Sequence, residues 1–235
     1  MDLAVPPPGP PAATIDDVIA RMKAIDAALP AGDGVACFNR MYLEVTVGVG
    51  GQVEQGLFGD PAWVTALDVG FANLYFAAID SLSGPPSSQP TAWRPLLSAR
   101  GEPDIEPIQF ALAGMNVHIN HDLPLAVVAT CTDLDTTPTD GSHREDYQKI
   151  DKLLDASEQS VREAFEPSDV RGADRHVANV TNLVCNWSLN EARDVAWDTA
   201  LAIWTVRDHH LTSQLLTNAL ARVVAMGTST LLVAV

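Results

Sequence analysis

Lysine is nearly missing from this chain: Lys23, Lys149 and Lys152 are the only three among 235 residues. Arginine raises the basic total to 14 against 30 Asp and Glu, leaving a formal net charge of −16. Binding a phosphate backbone requires clustered Lys and Arg, so nucleic acid is excluded as a main partner, and an anionic membrane surface with it. Cysteine is equally sparse. Cys37, Cys131 and Cys185 are odd in number, widely spaced and without a CxxC pair, which reads as reduced thiols in a cytoplasmic protein. The opening MDLAVPPPGPPAA lacks the basic and apolar regions of a signal peptide. Also missing are a GxSxG turn, a P-loop, a GxGxxG run entering a helix, the EF-hand spacing and the DDxxD of terpene cyclases. No alternating strand pattern and no internal repeat is evident.

What remains is ordinary in composition, 47% hydrophobic and 19% charged, and helical in period. No linker divides it into two self-sufficient apolar halves. Residues 1–13 read as a disordered, Pro-rich, extended tail, and residues 14–235 as a single all-α domain. Its expected architecture is a bundle of about seven to nine helices around a buried central one. Thr14 and Asp17 form a capping box at the first helix, which Pro30 stops. Asp33 opens a second helix whose far end, with Gly48, Gly50 and Gly51, is expected to fray or kink. Asp60 and Pro61 start a third, with Trp63, Leu67, Phe71 and Leu74 inward. Later helices are expected at 146–165, 173–187, 190–206 and 211–233. The C-terminal stretch from Leu215 is apolar enough to raise the question of a membrane. Asn218, Arg222 and its hydroxyls favour a packed or homodimer-forming helix over insertion.

The stretch Ile105 to Thr130, IEPIQFALAGMNVHINHDLPLAVVAT, is the longest apolar run with polar groups inside it. On a helix, Ile108, Leu112, Met115 and Ile119 make one stripe and Phe110 and Val117 the opposite side, as in a helix buried all round. Ala111 and Gly114 allow close approach of a neighbour, and Gln109, Asn116 and Asn120 line another edge. His118 and Asp122 stand at i, i+4, a spacing that suits metal ligation, acid–base chemistry or a local structural pair. His121 diverges from His118 by about 60° on a regular helix, so His118 with Asp122 is the better pair. A divalent metal (zinc, iron or manganese) would need further ligands, with Asp68, Asp146 and Glu44 the visible candidates and His118, Asp122 and Asp146 the set preferred. A second constellation joins Asp68, Asp122, Arg144, Asp146 and Arg193. Two arginines among carboxylates can be structural, or can hold a substrate oxyanion between the prongs of a guanidinium. Phe38, Tyr42, Phe71, Tyr75, Trp93 and Trp197 would wall an apolar cavity beside them, or simply pack a core.

The segment Gln109 to Pro124, QFALAGMNVHINHDLP, resembles the signature of an uncharacterised bacterial all-helical family, a domain of unknown function. Matching pieces are Asp33 to Asn39, the Leu67-Asp68 to Tyr75 helix, Arg144 to Tyr147, and Arg193 to Trp197, so the likeness spans most of residues 14–205. It implies an all-helical fold and no inherited activity. In that signature His121 occupies a variable place, which singles out His118 and Asp122. A fainter resemblance links a His-Asp-Leu-Pro helix to zinc-dependent phospholipases and nucleases of all-α fold, whose remaining zinc histidines this chain lacks.

The expected function is a small-molecule enzyme of specialised biosynthesis, catalysing cyclisation or isomerisation of a small, largely apolar or amphipathic substrate. His118, Asp122, Asp68 and Asn116 would be its acid–base and polar groups, and Arg193 would orient an anionic portion. Tyr42, Phe71, Tyr75 and Trp197 would hold the substrate. A metal-dependent hydrolase and a non-catalytic binding or dimerising helical protein are the alternatives. An enclosed cavity with convergent polar groups near His118 would favour an enzyme, and filled packing with every polar group paired would favour the non-catalytic protein.

Overall fold

A computed structural model of the protein describes residues 3–151, 154 and 188–233. Among them every regular element is a helix, and the fold is all-α. The elements are α1 (Ile15–Ala28), α2 (Gly34–Glu54), α3 (Pro61–Asp80), α4 (Arg94–Ala99), α5 (Pro107–Val117), α6 (Leu123–Asp133), α7 (His143–Lys149), α8 (Leu189–Val206) and α9 (His210–Leu231). A single π-helical turn, His118–Asp122, joins α5 to α6 without a break. The result is one rod through the middle of the molecule, with α2 and α9 against its first half and α3 and α8 against its second.

Local chemistry sets the helix starts. Thr14 and Asp17 exchange their capping bonds at 3.1 and 3.0 Å, Asp33 accepts from the Val35 amide, and Asp60 accepts from that of Trp63. Each such cap is worth about 1 kcal/mol. The second helix does not fray: it continues through its glycines to Glu54. Packing overrides propensity there, because Val49 is buried and Gly50 faces Ile15 of α1, where a Cβ would come within 3.2 Å. α2 and α5 lock together by exchange of rings and glycines, Phe38 over Gly114 and Phe110 over Gly34.

Within the Pro-rich segment the backbone of Ala12 makes two bonds with the Asn73 side chain, at 2.8 and 3.0 Å. Arg21 binds the Pro10 carbonyl and Arg100 that of Ala4. α7 begins at His143, before the expected Asp146; the rest of the helix expected at 146–165, the helix at 173–187 and Cys185 lie outside the described residues. The span Pro61–Ser83 is the one helix among the described residues long and apolar enough to cross a membrane, and 56% of its 18-residue apolar window is buried within the protein.

Pro124 explains the π turn. Without an amide hydrogen, and with its ring directed at the carbonyl four residues back, it breaks the regular ladder. The chain accommodates it by closing a five-residue bond instead, from the Leu123 amide to the His118 carbonyl. Such one-turn bulges occur often at functional sites, and this one carries His118, His121 and Asp122.

Candidate functional site

The wider turn does what a regular helix would not: it brings both imidazoles onto Asp122. His118 Nδ1 lies 3.1 Å from Asp122 Oδ2, and His121 Nδ1 lies 2.7 Å from Oδ1. The Trp93 indole donates to Oδ2 from 2.9 Å. Burial opposes ionisation of Asp122, but the hydrogen bonds and charge of His118 and His121 outweigh it and hold the carboxyl below its ordinary range. An ionised carboxylate only accepts, so both histidines present Nδ1–H to it. Burial lowers the pKa of His118 against the opposing pull of Asp122. His118 is therefore a neutral imidazole at neutral pH, with its lone pair on Nε2.

That imidazole is enclosed by rings. Phe71 stacks on it at 3.5 Å and 7°, Tyr42 meets it edge-on at 4.3 Å, and Phe38 at 5.6 Å, Tyr75 at 6.1 Å and Trp93 at 6.2 Å complete the surround. Asp68 sits one turn before Phe71 on α3. Burial alone raises its pKa to about 7. Burial first, then the charges of Asp68 and Asp122, lifts the Tyr42 phenol well above its ordinary value.

Three polar atoms of this cluster are buried without a hydrogen-bond partner: Tyr42 Oη, Asp68 Oδ2 and His118 Nε2. The hydroxyl of Thr46, close to Tyr42, is bound instead to the Tyr42 carbonyl at 3.0 Å. Each buried unsatisfied group costs about 1–3 kcal/mol, and these three come from three elements, α2, α3 and the π turn. By contrast, the Tyr75 hydroxyl donates to Asn39, which in turn donates to the Met22 carbonyl, and is satisfied.

Four expected site residues are not free for this site. Arg193 is consumed by Asp151 at 2.6 Å and the Tyr147 carbonyl at 2.7 Å, and stacks over the Tyr147 ring. Trp197 packs on Tyr147 at 4.8 Å under Arg144, in that same cluster. Asn116 spends its amide on Thr228 and the Val224 carbonyl of α9. Asp146 accepts from the Gly59 and Asp60 amides, Ser142 and Lys149, at 2.7–2.8 Å. The expected metal set of His118, Asp122 and Asp146 is thus not assembled. Among the described residues no three His, Cys, Asp or Glu side chains are grouped to hold an ion. Two residues take roles that helical periodicity does not assign them. Trp93, expected only as a wall, binds Asp122, and nothing in the sequence links it to a carboxylate 29 positions on. His121 diverges from the pair on a regular helix but joins it on the π turn, and Pro124 is the signal that the geometry changes.

Fold and site together define an all-helical protein with a buried carboxyl–imidazole–phenol cluster on a π turn. The chain belongs to a family of unknown function, DUF5995, whose profile matches residues 15–234. Comparison with curated proteins and with solved structures finds no match.

Proposed function

We propose that this protein is a small-molecule enzyme performing acid–base isomerisation or cyclisation of a largely apolar substrate at Asp68, His118 and Tyr42. The observation that carries it is the set of three partnerless buried polar atoms, one basic, one acidic near neutrality and one phenolic. His118 Nε2 accepts a proton from the substrate, and the resulting imidazolium is stabilised by Asp122 and by the surrounding ring faces. Asp68, close to half-protonated at neutral pH, delivers a proton at a second substrate position. The cycle closes when the imidazolium proton returns to the Asp68 carboxylate, so protons balance and no cofactor is consumed. Tyr42 donates a hydrogen bond to charge that develops between the two steps. Asp122, Trp93 and His121 fix the tautomer and orientation of His118. The free thiols of Cys37 and Cys131 support a reducing, cytoplasmic setting.

A screen for proton exchange tests this reading with any substrate. Protein is incubated with a small-molecule cell extract in deuterium oxide, and metabolites are screened by mass spectrometry for acquired deuterium. Wild type is expected to label at least one compound, and Asp68→Asn or His118→Ala to label none. No labelling beyond that of the variants, from extracts of cells that make the protein, overturns the acid–base reading.

A further inference from the structure

The outward side of α9 carries Leu211, Leu215, Val223 and Met226, exposed to 75, 71, 67 and 71%. Scattered apolar residues on a surface need no explanation, but a row along one helix marks an interaction face. On a helix these four fall within about 120° of one another, with Ala219 in the middle of the row. The helix cannot turn to bury them, because its other side is pinned to the central rod. Gln109 donates to the carbonyls of Leu231 and Val233 at 2.8 and 3.0 Å, and Asn116 to Thr228 and to the Val224 carbonyl at 2.9 and 3.3 Å.

Charge identifies the occupant. The chain has 30 carboxylate side chains, and none lies between His209 and Val235. A protein of net charge −16 repels its own copies over most of its surface. This face is where the repulsion is lifted. Binding to a lipid surface calls for rows of Lys and Arg beside the apolar stripe, whereas α9 has Arg222 alone. A charged partner would find only that one cation to set its register. A mostly apolar row with a small residue at its centre is self-complementary, as a twofold contact requires, and Arg222 is the single charge within it.

We propose that the outward face of α9 is a homodimer interface, with α9 of two copies packed antiparallel across a twofold axis near Ala219. The small Ala219 side chain admits close approach, and Leu211 of each copy meets the Met226 end of the other. The helix is about 33 Å long, so one helix pair makes an interface at the low end of the stable range, with a dissociation constant on the order of micromolar. This assignment is independent of the chemistry proposed at His118.

Sedimentation velocity on the full chain, from low micromolar to several hundred micromolar, tests it. Wild type is expected to pass from monomer to dimer. The double variant Leu211→Glu/Met226→Glu is expected to weaken the dimer about 100-fold or more, since like charges are opposed, with unchanged circular dichroism. Mixing it with Leu211→Lys/Met226→Lys is expected to restore a dimer of one copy of each. Wild type that stays monomeric throughout, or a dimer indifferent to the glutamates, overturns the proposal. So does a monomer that pellets with vesicles of phosphatidylcholine and phosphatidylglycerol, which would assign the face to lipid.

Discussion

The indole nitrogen of Trp93 holds Asp122 Oδ2 at 2.9 Å, on the same oxygen that His118 Nδ1 approaches at 3.1 Å. The tryptophan therefore acts on the imidazole through the carboxylate, keeping Asp122 aimed so that His118 carries its proton on Nδ1. Trp93→Phe keeps the ring and removes the donor. A hydrogen bond to a buried charge is worth about 1.5–3 kcal/mol, and a loss of that size is expected in urea unfolding. The more telling readout is nitrogen NMR of the imidazole. His118 should change from one tautomer toward a mixture in Trp93→Phe, whereas a tryptophan that only fills space would leave it unaltered.

Asp68 makes stability depend on pH in the direction opposite to most carboxylates. Its pKa is about 7 folded against about 3.9 unfolded. Between those values the folded state holds a proton that the unfolded state has released, so stability is full below about pH 4 and falls as pH rises to about 7. Over three pH units this amounts to about 4 kcal/mol. Asp68→Asn cannot ionise and is expected to lack that decline. Urea midpoints of both proteins measured across this range check it: parallel curves would mean that Asp68 titrates as an ordinary carboxyl.

The helical plan is legible in the sequence because each helix declares itself by local chemistry. Thr14 with Asp17, Asp33, and Asp60 before Pro61 are short-range devices whose partners lie within a few residues. The His118–Asp122 pair and its burial are legible for the same reason: both lie on one apolar helix. The convergence of Tyr42 and Phe71 on His118 is visible only as a choice among inward-facing aromatics. What cannot be read is which buried polar group answers which. Arg193 and Asp68 both sit on inward faces, yet Arg193 is paired with Asp151 while Asp68 Oδ2 is left alone. That difference is decided by helix packing, and no periodicity encodes it. The π turn is half legible, since Pro124 forbids a regular ladder but does not say which way the chain will yield.

Gly114 sets the distance between α2 and the central rod, and with it the place of Phe38 beside His118. A Cβ at this position would fall 2.4 Å from the Phe38 ring. Gly114→Ala gains up to about 1 kcal/mol of helix propensity, but overpacking costs about 1–3 kcal/mol. The net expectation is destabilisation, with Phe38 displaced from its 5.6 Å contact with the imidazole. Thermal unfolding and the ring-proton shifts of His118 would register both effects; a stabilised variant with unmoved shifts would show that the interface has slack.

Asp146 tests whether the second carboxylate cluster is structural. Burial works against its charge, yet Lys149, the Gly59 and Asp60 amides and Ser142 together bring its pKa down to about 2. A carboxyl depressed in the folded state contributes stability above its unfolded pKa of about 3.9, and that contribution disappears as pH falls toward 2. Asp146→Asn is accordingly expected to lose about 2 kcal/mol at neutral pH and to converge on wild type in acid. Because these bonds cap the start of α3 and reach neither His118 nor Asp122, the variant should keep the His118 tautomer and any deuterium-exchange activity of the folded fraction. Loss of exchange at full folding would instead place Asp146 in the chemistry, and with it the ligand set that the geometry argues against.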